Sequence, residues 1–166
     1  MVSQDQVYQL VQVLLQEDLL FHLASNVHKL PFETRKDTQI IISLVLRFKN
    51  PGVGSQEPPA IHYIVEKRPE LIIALCNGYN QRESAMPCGG ILREALKHDV
   101  IAALILYDEA DAHPEPLDVT RIDTTVVASG RGVFWKFFSW IDAGSFEVSA
   151  DAFNTFRVSV FRIISM

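Results

Sequence analysis

The sequence predicts an all-α chain of stacked helical repeats, an armadillo- or HEAT-like α-solenoid. Three observations carry that prediction. Apolar residues recur at helical spacing through most of the chain, strand-like alternation is nearly absent, and one order of elements returns three times.

The first helix is read from Val7, Leu10, Val11, Leu14 and Leu15, which share one face of segment 4–15. Glu17 and Asp18 open a second helix carrying Leu19, Leu20, Leu23 and Val27, with the acidic pair at the positive end of the helix dipole. Pro31 breaks the pattern, and a third helix runs from about Glu33 to Lys49. Its apolar set, Ile40, Ile41, Ile42, Leu44, Val45, Leu46 and Phe48, is wider than one stripe, so packing on two sides is expected. Lys36, Gln39, Ser43 and Arg47 form its narrow polar face. Three prolines and two glycines between Asn50 and Pro59 mark a break.

Helical pattern resumes from Ala60 to Glu66. Pro69 opens the next helix, which carries Leu71, Ile72, Leu75 and Cys76. Gly78 reads as its carboxyl cap, in the left-handed conformation that glycine enters cheaply. Ser84 reads as the cap of a helix reaching Lys97, which places Pro87 in a first turn where its missing N–H costs little. Val100 to Tyr107 is a short apolar helix. Residues 108–131 hold acidic residues, prolines and no period, and are expected to be a disordered surface loop. The Val126–Val127 pair has strand character but no partner nearby. Phe134, Trp135, Phe137, Phe138 and Ile141 then form a helix ending near Gly144. Ser145 begins the last, with Val148, Ala152, Phe153, Phe156 and Val160.

The recurring unit is a short apolar helix, a turn, and a longer helix that opens on a glutamate: Glu33, Glu83 and Glu147. Four residues after each stand Asp37, Pro87 and Asp151. Nine residues after each stand Ile42, Leu92 and Phe156. Removing the 108–131 segment leaves a spacing of about 40 residues, near the armadillo and HEAT period. Such units stack into a superhelix with a concave face; a compact helical bundle is the alternative. The chain is expected to be one helical-repeat domain over residues 1–166.

Composition narrows the function. A length of 166 residues, 48% of them hydrophobic, supports a buried core, and a net charge of -5 without a basic stripe speaks against nucleic acid. Two cysteines, Cys76 and Cys88, are too few for a disulfide framework and point to a reducing, cytoplasmic home. No signal peptide and no membrane insertion are expected. The five histidines form no metal-binding pair at helical spacing, and the cysteines have no histidine partners in sequence, so no metal is expected. The run Asp108–Asp111 lacks the alternating ligands, the glycine and the closing glutamate of a calcium loop. Gly130-Arg131-Gly132 has no strand before it to make a phosphate loop. No nucleophile elbow occurs, and no carboxylate pair stands out for acid–base work. No catalytic residue and no cofactor are expected.

Three stretches are specific enough to suggest a family: Ala60-Ile61-His62-Tyr63-Ile64, Gly90-Ile91-Leu92-Arg93-Glu94, and the run Phe146 to Phe156 with its Ser-Ala-Asp-Ala-Phe centre. They resemble the calcium-binding protein 39 family, also called mouse-protein-25-like, and hymA-like in filamentous fungi. The insertion before Phe134-Trp135-Lys136-Phe137-Phe138 resembles the fungal branch. The resemblance implies an armadillo-like scaffold that cradles a germinal-centre-class protein kinase or pseudokinase and activates it without doing chemistry. It further implies fungal morphogenesis, conidiation and polarised growth, and a cytoplasmic protein enriched where growth is polarised. Family members are about twice as long, their later repeats holding a pocket for the partner's carboxyl-terminal peptide. The tail from Val158 to Met166 departs from the family pattern, so a partner-less repeat fragment is one alternative; a small helical enzyme of another helical fold is a second.

Four residues are candidates for partner binding. Phe146 matches a family position on the concave face. Arg47, Arg93 and Lys97 lie on polar faces of the long helices that would line that concavity. Each also has a plain reading, as a core cap for Phe146 and as solvated helix charges for the others. The aromatic cluster from Phe134 to Trp140 is read as core, because its spacing is helical.

Overall fold

A computed structural model describes residues 3–50, 57–108, 125, 129–142 and 145–166. Among the described residues every regular element is helical. The stretch 51–56, most of the 108–131 segment including Val126 and Val127, and Gly144 lie outside them.

The helices group into three units of three. The first holds α1 (Gln4–Gln16), α2 (Leu19–Asn26) and α3 (Phe32–Arg47); the second α4 (Pro59–Lys67), α5 (Glu70–Asn77) and α6 (Arg82–Ala95); the third α7 (Asp99–Leu106), α8 (Val133–Ile141) and α9 (Phe146–Ser165). The sequence marks most starts. Ser3 makes a capping box with Gln6, its hydroxyl accepting from the Gln6 N–H at 3.2 Å while the Gln6 side chain accepts from the Ser3 N–H at 2.9 Å. Pro31, Pro58 and Pro69 sit at the amino-terminal caps of α3, α4 and α5. There a missing N–H is harmless.

The third helix of each unit stacks on its counterparts, α3 on α6 and α6 on α9, while α1 and α2 pack on α4 and α5, and α5 on α7 and α8. Between the two ladders lies one apolar core, which includes the fully buried Leu20, Ile42, Leu46, Ile61, Ile64, Ile72, Leu75, Ile91, Leu92 and Phe137. Burying each such side chain contributes about 1.5–3 kcal/mol. The three opening glutamates are each the second residue of α3, α6 and α9. This is the repeat architecture the sequence predicts, with Ile42 and Leu92 buried and Phe156 half-buried against Phe134, Phe137 and Phe138. The ends of the 108–131 segment meet. The Val133 N–H at the start of α8 donates to Asp108 Oδ2 at 2.9 Å, and a Cβ on Gly132 would lie 1.7 Å from the Asp108 carbonyl oxygen.

Four local expectations are corrected. Gly78 is right-handed, with φ -56°, and starts a short 3-10 turn; it must be glycine because a Cβ would sit 2.4 Å from Cys88 Sγ. Ser84 is no cap: it lies inside α6, its hydroxyl donating to the Gly78 carbonyl at 2.7 Å. Pro87 falls past the first turn of α6, where it leaves the Glu83 carbonyl without its helical N–H. The Arg35 guanidinium of α3 takes that oxygen at 2.8 Å, so the proline creates a joint between units. Finally, α3 is packed on one side only, for Ile40, Ile41 and Leu44 are exposed. Asp18 does stand at the start of α2, as expected, but with φ 54° and no side-chain cap bond; its carboxylate accepts from Arg68 and Tyr63 of the second unit.

Candidate partner-binding face

The exposed side of the α3–α6–α9 ladder carries three of the four candidate residues, Phe146, Arg47 and Lys97. Aligning Glu33, Glu83 and Glu147 puts Phe32, Arg82 and Phe146 in one row, Lys36, Met86 and Ala150 in the next, and Arg47, Lys97 and Phe161 in the last. All nine are exposed. The face therefore mixes large apolar groups with cations.

Phe146 is 87% exposed as the first residue of α9, and no core side chain needs it. Arg47 and Lys97 share one acceptor. Arg47 Nη2 lies 2.7 Å from Glu94 Oε2, and Lys97 Nζ lies 2.8 Å from Glu94 Oε1. Glu94 itself is buried, and its hydrogen bond from Arg47 holds its carboxyl below the usual range. These two cations border the face and share a single carboxylate, so the group keeps one net positive charge.

Arg93 is placed differently. Its side chain is only 26% exposed and turns into the α6–α9 joint. Arg93 Nη2 lies 2.9 Å from Asp151 Oδ1, while Nη1 donates to Asp151 Oδ2 at 3.0 Å and to Thr155 Oγ1 at 2.8 Å. The buried Tyr79 hydroxyl donates to Asp151 Oδ2 at 2.6 Å and lies 2.7 Å from Thr155 Oγ1. Burial, and then the Asp151 acceptor, raise the Tyr79 hydroxyl above its ordinary pKa. Gly89 makes the node fit, since a Cβ there would come within 1.9 Å of Asp151 Oδ2.

Sequence reasoning placed Arg93 on a surface and did not assign Tyr79, Thr155 or Gly89 to any role. Two signals were available: Asp151 recurs at the position of Asp37 and Pro87, and a Gly-Gly pair stands inside a helix, where it weakens the helix unless something approaches closely. The Phe134–Trp140 cluster is core in part. Phe134, Phe137 and Trp140 are buried, with Trp140 Nε1 donating to Asn80 Oδ1 at 2.8 Å, whereas Trp135 and Phe138 are exposed. Both cysteines are buried thiols. Burial pushes Cys88 up to about 12 and Cys76 well above its ordinary value, so neither is a ready nucleophile.

Among the described residues no group of three or more His, Cys, Asp or Glu side chains could hold a metal ion, and no helix is long and apolar enough to cross a membrane. The arrangement offers an apolar and cationic surface of side chains on a stiff ladder.

The profile of the Mo25-like family matches residues 2–165. The chain belongs to the Mo25-like family. It is 59% identical to the conidiophore development protein hymA of Emericella nidulans over 155 residues, covering 93% of this chain and 40% of that protein. It is 30% identical to MO25-like protein 2 of Caenorhabditis elegans over 93% of this chain and 38% of the relative. With the human calcium-binding protein 39-like it shares 28% identity over 91% of this chain and 36% of that protein. The chain thus spans about two fifths of the length of these Mo25-like relatives.

Proposed function

We propose that this Mo25-like chain is a non-catalytic scaffold or adaptor that binds a germinal-centre-class protein kinase or pseudokinase across the exposed face of α3, α6 and α9. The observation that carries this reading is Phe146, an 87%-exposed aromatic in one row with Phe32, on helices that also expose Met86, Phe161, Arg47 and Lys97. Exposed aromatic anchors beside arginine are what protein interfaces use most. Arg93 belongs to the same proposal as a positioning residue, holding α9 and with it Phe146 at a fixed place beside α6. The mechanism is population shift: a scaffold that binds the active kinase arrangement more tightly raises its occupancy, by about 5.5 kcal/mol of differential binding for near-complete switching. The name of the Emericella nidulans relative supports a place in conidiophore development. The site of action under this reading is the cytoplasm.

The test is titration of the kinase domain with this chain and with Phe146→Ala. Saturable binding that weakens about tenfold in the variant is expected, as for an interface anchor. No binding by a chain with an intact helical circular-dichroism spectrum would overturn the proposal. It would favour the second reading, a partner-less repeat unit, which the exposed apolar edges of α3 and α9 support.

A further inference from the structure

The last turns of α3 and α6 hold a group of three charges that does not balance. Arg47 closes α3, Lys97 stands two residues past the end of α6, and the buried Glu94 lies between them. Both cations reach the same oxygen. Arg47 Nη2 donates to Glu94 Oε2 at 2.7 Å, and Lys97 Nζ donates to Oε2 at 2.9 Å and to Oε1 at 2.8 Å. The Glu94 side chain is 9% exposed, whereas those of Arg47 and Lys97 are 57% and 58% exposed. The anion is therefore inside and the cations outside, and the N–H donors they do not spend on Glu94 remain open to solvent.

No other carboxylate at this end completes the group. Asp99 faces Arg162 Nη1 at 3.5 Å, and Glu57 faces His98 Nδ1 at 3.6 Å. Lys49, exposed two residues after Arg47, makes no ion pair among the described residues and adds to the positive side. The chain as a whole carries a net charge of -5, so this excess is a local feature of the face.

We propose that Arg47 and Lys97 receive an acidic side chain, Asp or Glu, from the folded surface of the kinase partner; this rests on the reading of the α3–α6–α9 face as a kinase-binding surface. Charge decides the ligand class. One carboxylate neutralises the single net positive charge, while a phosphoryl group, with about two negative charges, leaves an excess anion against the buried Glu94. Geometry agrees, since two cations sharing one oxygen stand close enough for the two oxygens of a carboxylate to bridge them. Glu94 also holds both long side chains in place before the partner arrives, so less rotamer freedom is lost on binding. Phe146, at the other end of the face, supplies an apolar anchor, and this pair fixes which way round the partner lies.

The experiment is titration of the kinase domain with the full chain from about 50 to about 500 mM NaCl. Lys97→Gln is expected to weaken binding about tenfold at low salt and to flatten its salt dependence, and Lys97→Arg to keep both near native. Lys67→Gln removes the same charge from an exposed site on α4, in the opposite ladder, and is expected to change affinity by less than about twofold. Both lysines are exposed, so circular dichroism of the variants should match the native chain. Equal losses for Lys97→Gln and Lys67→Gln overturn the inference, because net charge alone then acts. Weakening by Lys97→Gln with an unchanged salt response overturns it too, since Lys97 then only props Glu94. Phosphatase treatment of the kinase domain is expected to preserve the ratio of native to variant affinity; a ratio that falls to one replaces the carboxylate by a phosphoryl group. Native binding that ignores Lys97→Gln overturns this inference and leaves the kinase reading standing. No saturable binding by the native chain overturns both.

Discussion

Changing Asp151 to asparagine keeps the volume of the side chain and removes its charge, which isolates the electrostatics of the α6–α9 joint. The carboxylate receives Arg93 at 2.9 and 3.0 Å and the Tyr79 hydroxyl at 2.6 Å, and it is 7% exposed. The amide oxygen can still accept from Tyr79, but Arg93 loses two charged acceptors and keeps Thr155. Removing one partner of a fully buried ion pair costs about 3–5 kcal/mol. Arg93 retains a quarter of its exposure, so water recovers part of this, and the expected loss is about 2–3 kcal/mol. With a urea slope of about 1–3 kcal/mol per molar, the unfolding midpoint falls by about 0.7–3 M. Tyr79→Phe, which deletes a single hydroxyl, is expected to cost about 1 kcal/mol. Amide exchange should quicken more in α7, α8 and α9 than in α1 and α2, because coupling in stacked repeats runs through neighbours. A loss for Asp151→Asn within about 0.5 kcal/mol, the range of a neutral surface change, would refute the reasoning. Desolvation would then cancel the ion pair, and apolar packing alone would hold the joint.

Two further expectations follow from single contacts. Asp18 is held at about 2, below its ordinary 3.8, first by hydrogen bonds from Arg68 and Tyr63. A depressed carboxylate gives stability that is fully present above the unfolded value and is lost as pH falls through the folded one. The melting temperature of the native chain should exceed that of Asp18→Asn above about pH 4, with the gap closing towards pH 2; a gap independent of pH would sink the assignment. Gly78→Ala places a methyl 2.4 Å from Cys88 Sγ, an overpacking expected to cost about 1–3 kcal/mol in thermal or urea unfolding. Cys88→Ala should recover part of that loss in a double-mutant cycle, and additive effects would argue against the contact.

What the sequence made legible is what depends on neighbours along the chain. Prolines at 31, 58 and 69 announce helix starts because the chemistry of an amino-terminal cap is local. The glutamate register locates the repeats for the same reason. The misreadings share one cause, contact between elements that local sequence does not bring together. Pro87 looks like a first-turn residue until Arg35 is seen taking the carbonyl it frees. Gly78 looks like a left-handed cap until Cys88 is beside it. Asp18 looks like a dipole partner, and Arg93 a surface charge, until the adjoining unit supplies Arg68 or Asp151. The apolar excess of α3 looks like a second buried side because periodicity cannot distinguish a core face from an unpartnered repeat edge.

These joints bear on function through stiffness. Apolar packing between stacked helices is non-directional and tolerates a range of angles; directed hydrogen bonds narrow that range. Here the α3–α6 joint is fixed by Arg35 on the Glu83 carbonyl and by Arg47 on Glu94, and the α6–α9 joint by Arg93 on Asp151 and Thr155. On the opposite ladder Asp18 ties the first unit to Tyr63 and Arg68 of the second. The first two units are therefore pinned on both sides of the core and cannot hinge about either ladder without breaking a polar contact. A scaffold that selects one arrangement of a partner needs this property, since a surface that bends to fit both arrangements binds them alike and shifts nothing. It follows that Asp151→Asn, which touches no exposed residue, should weaken the partner binding proposed for Phe146 by loosening the helix on which Phe146 stands.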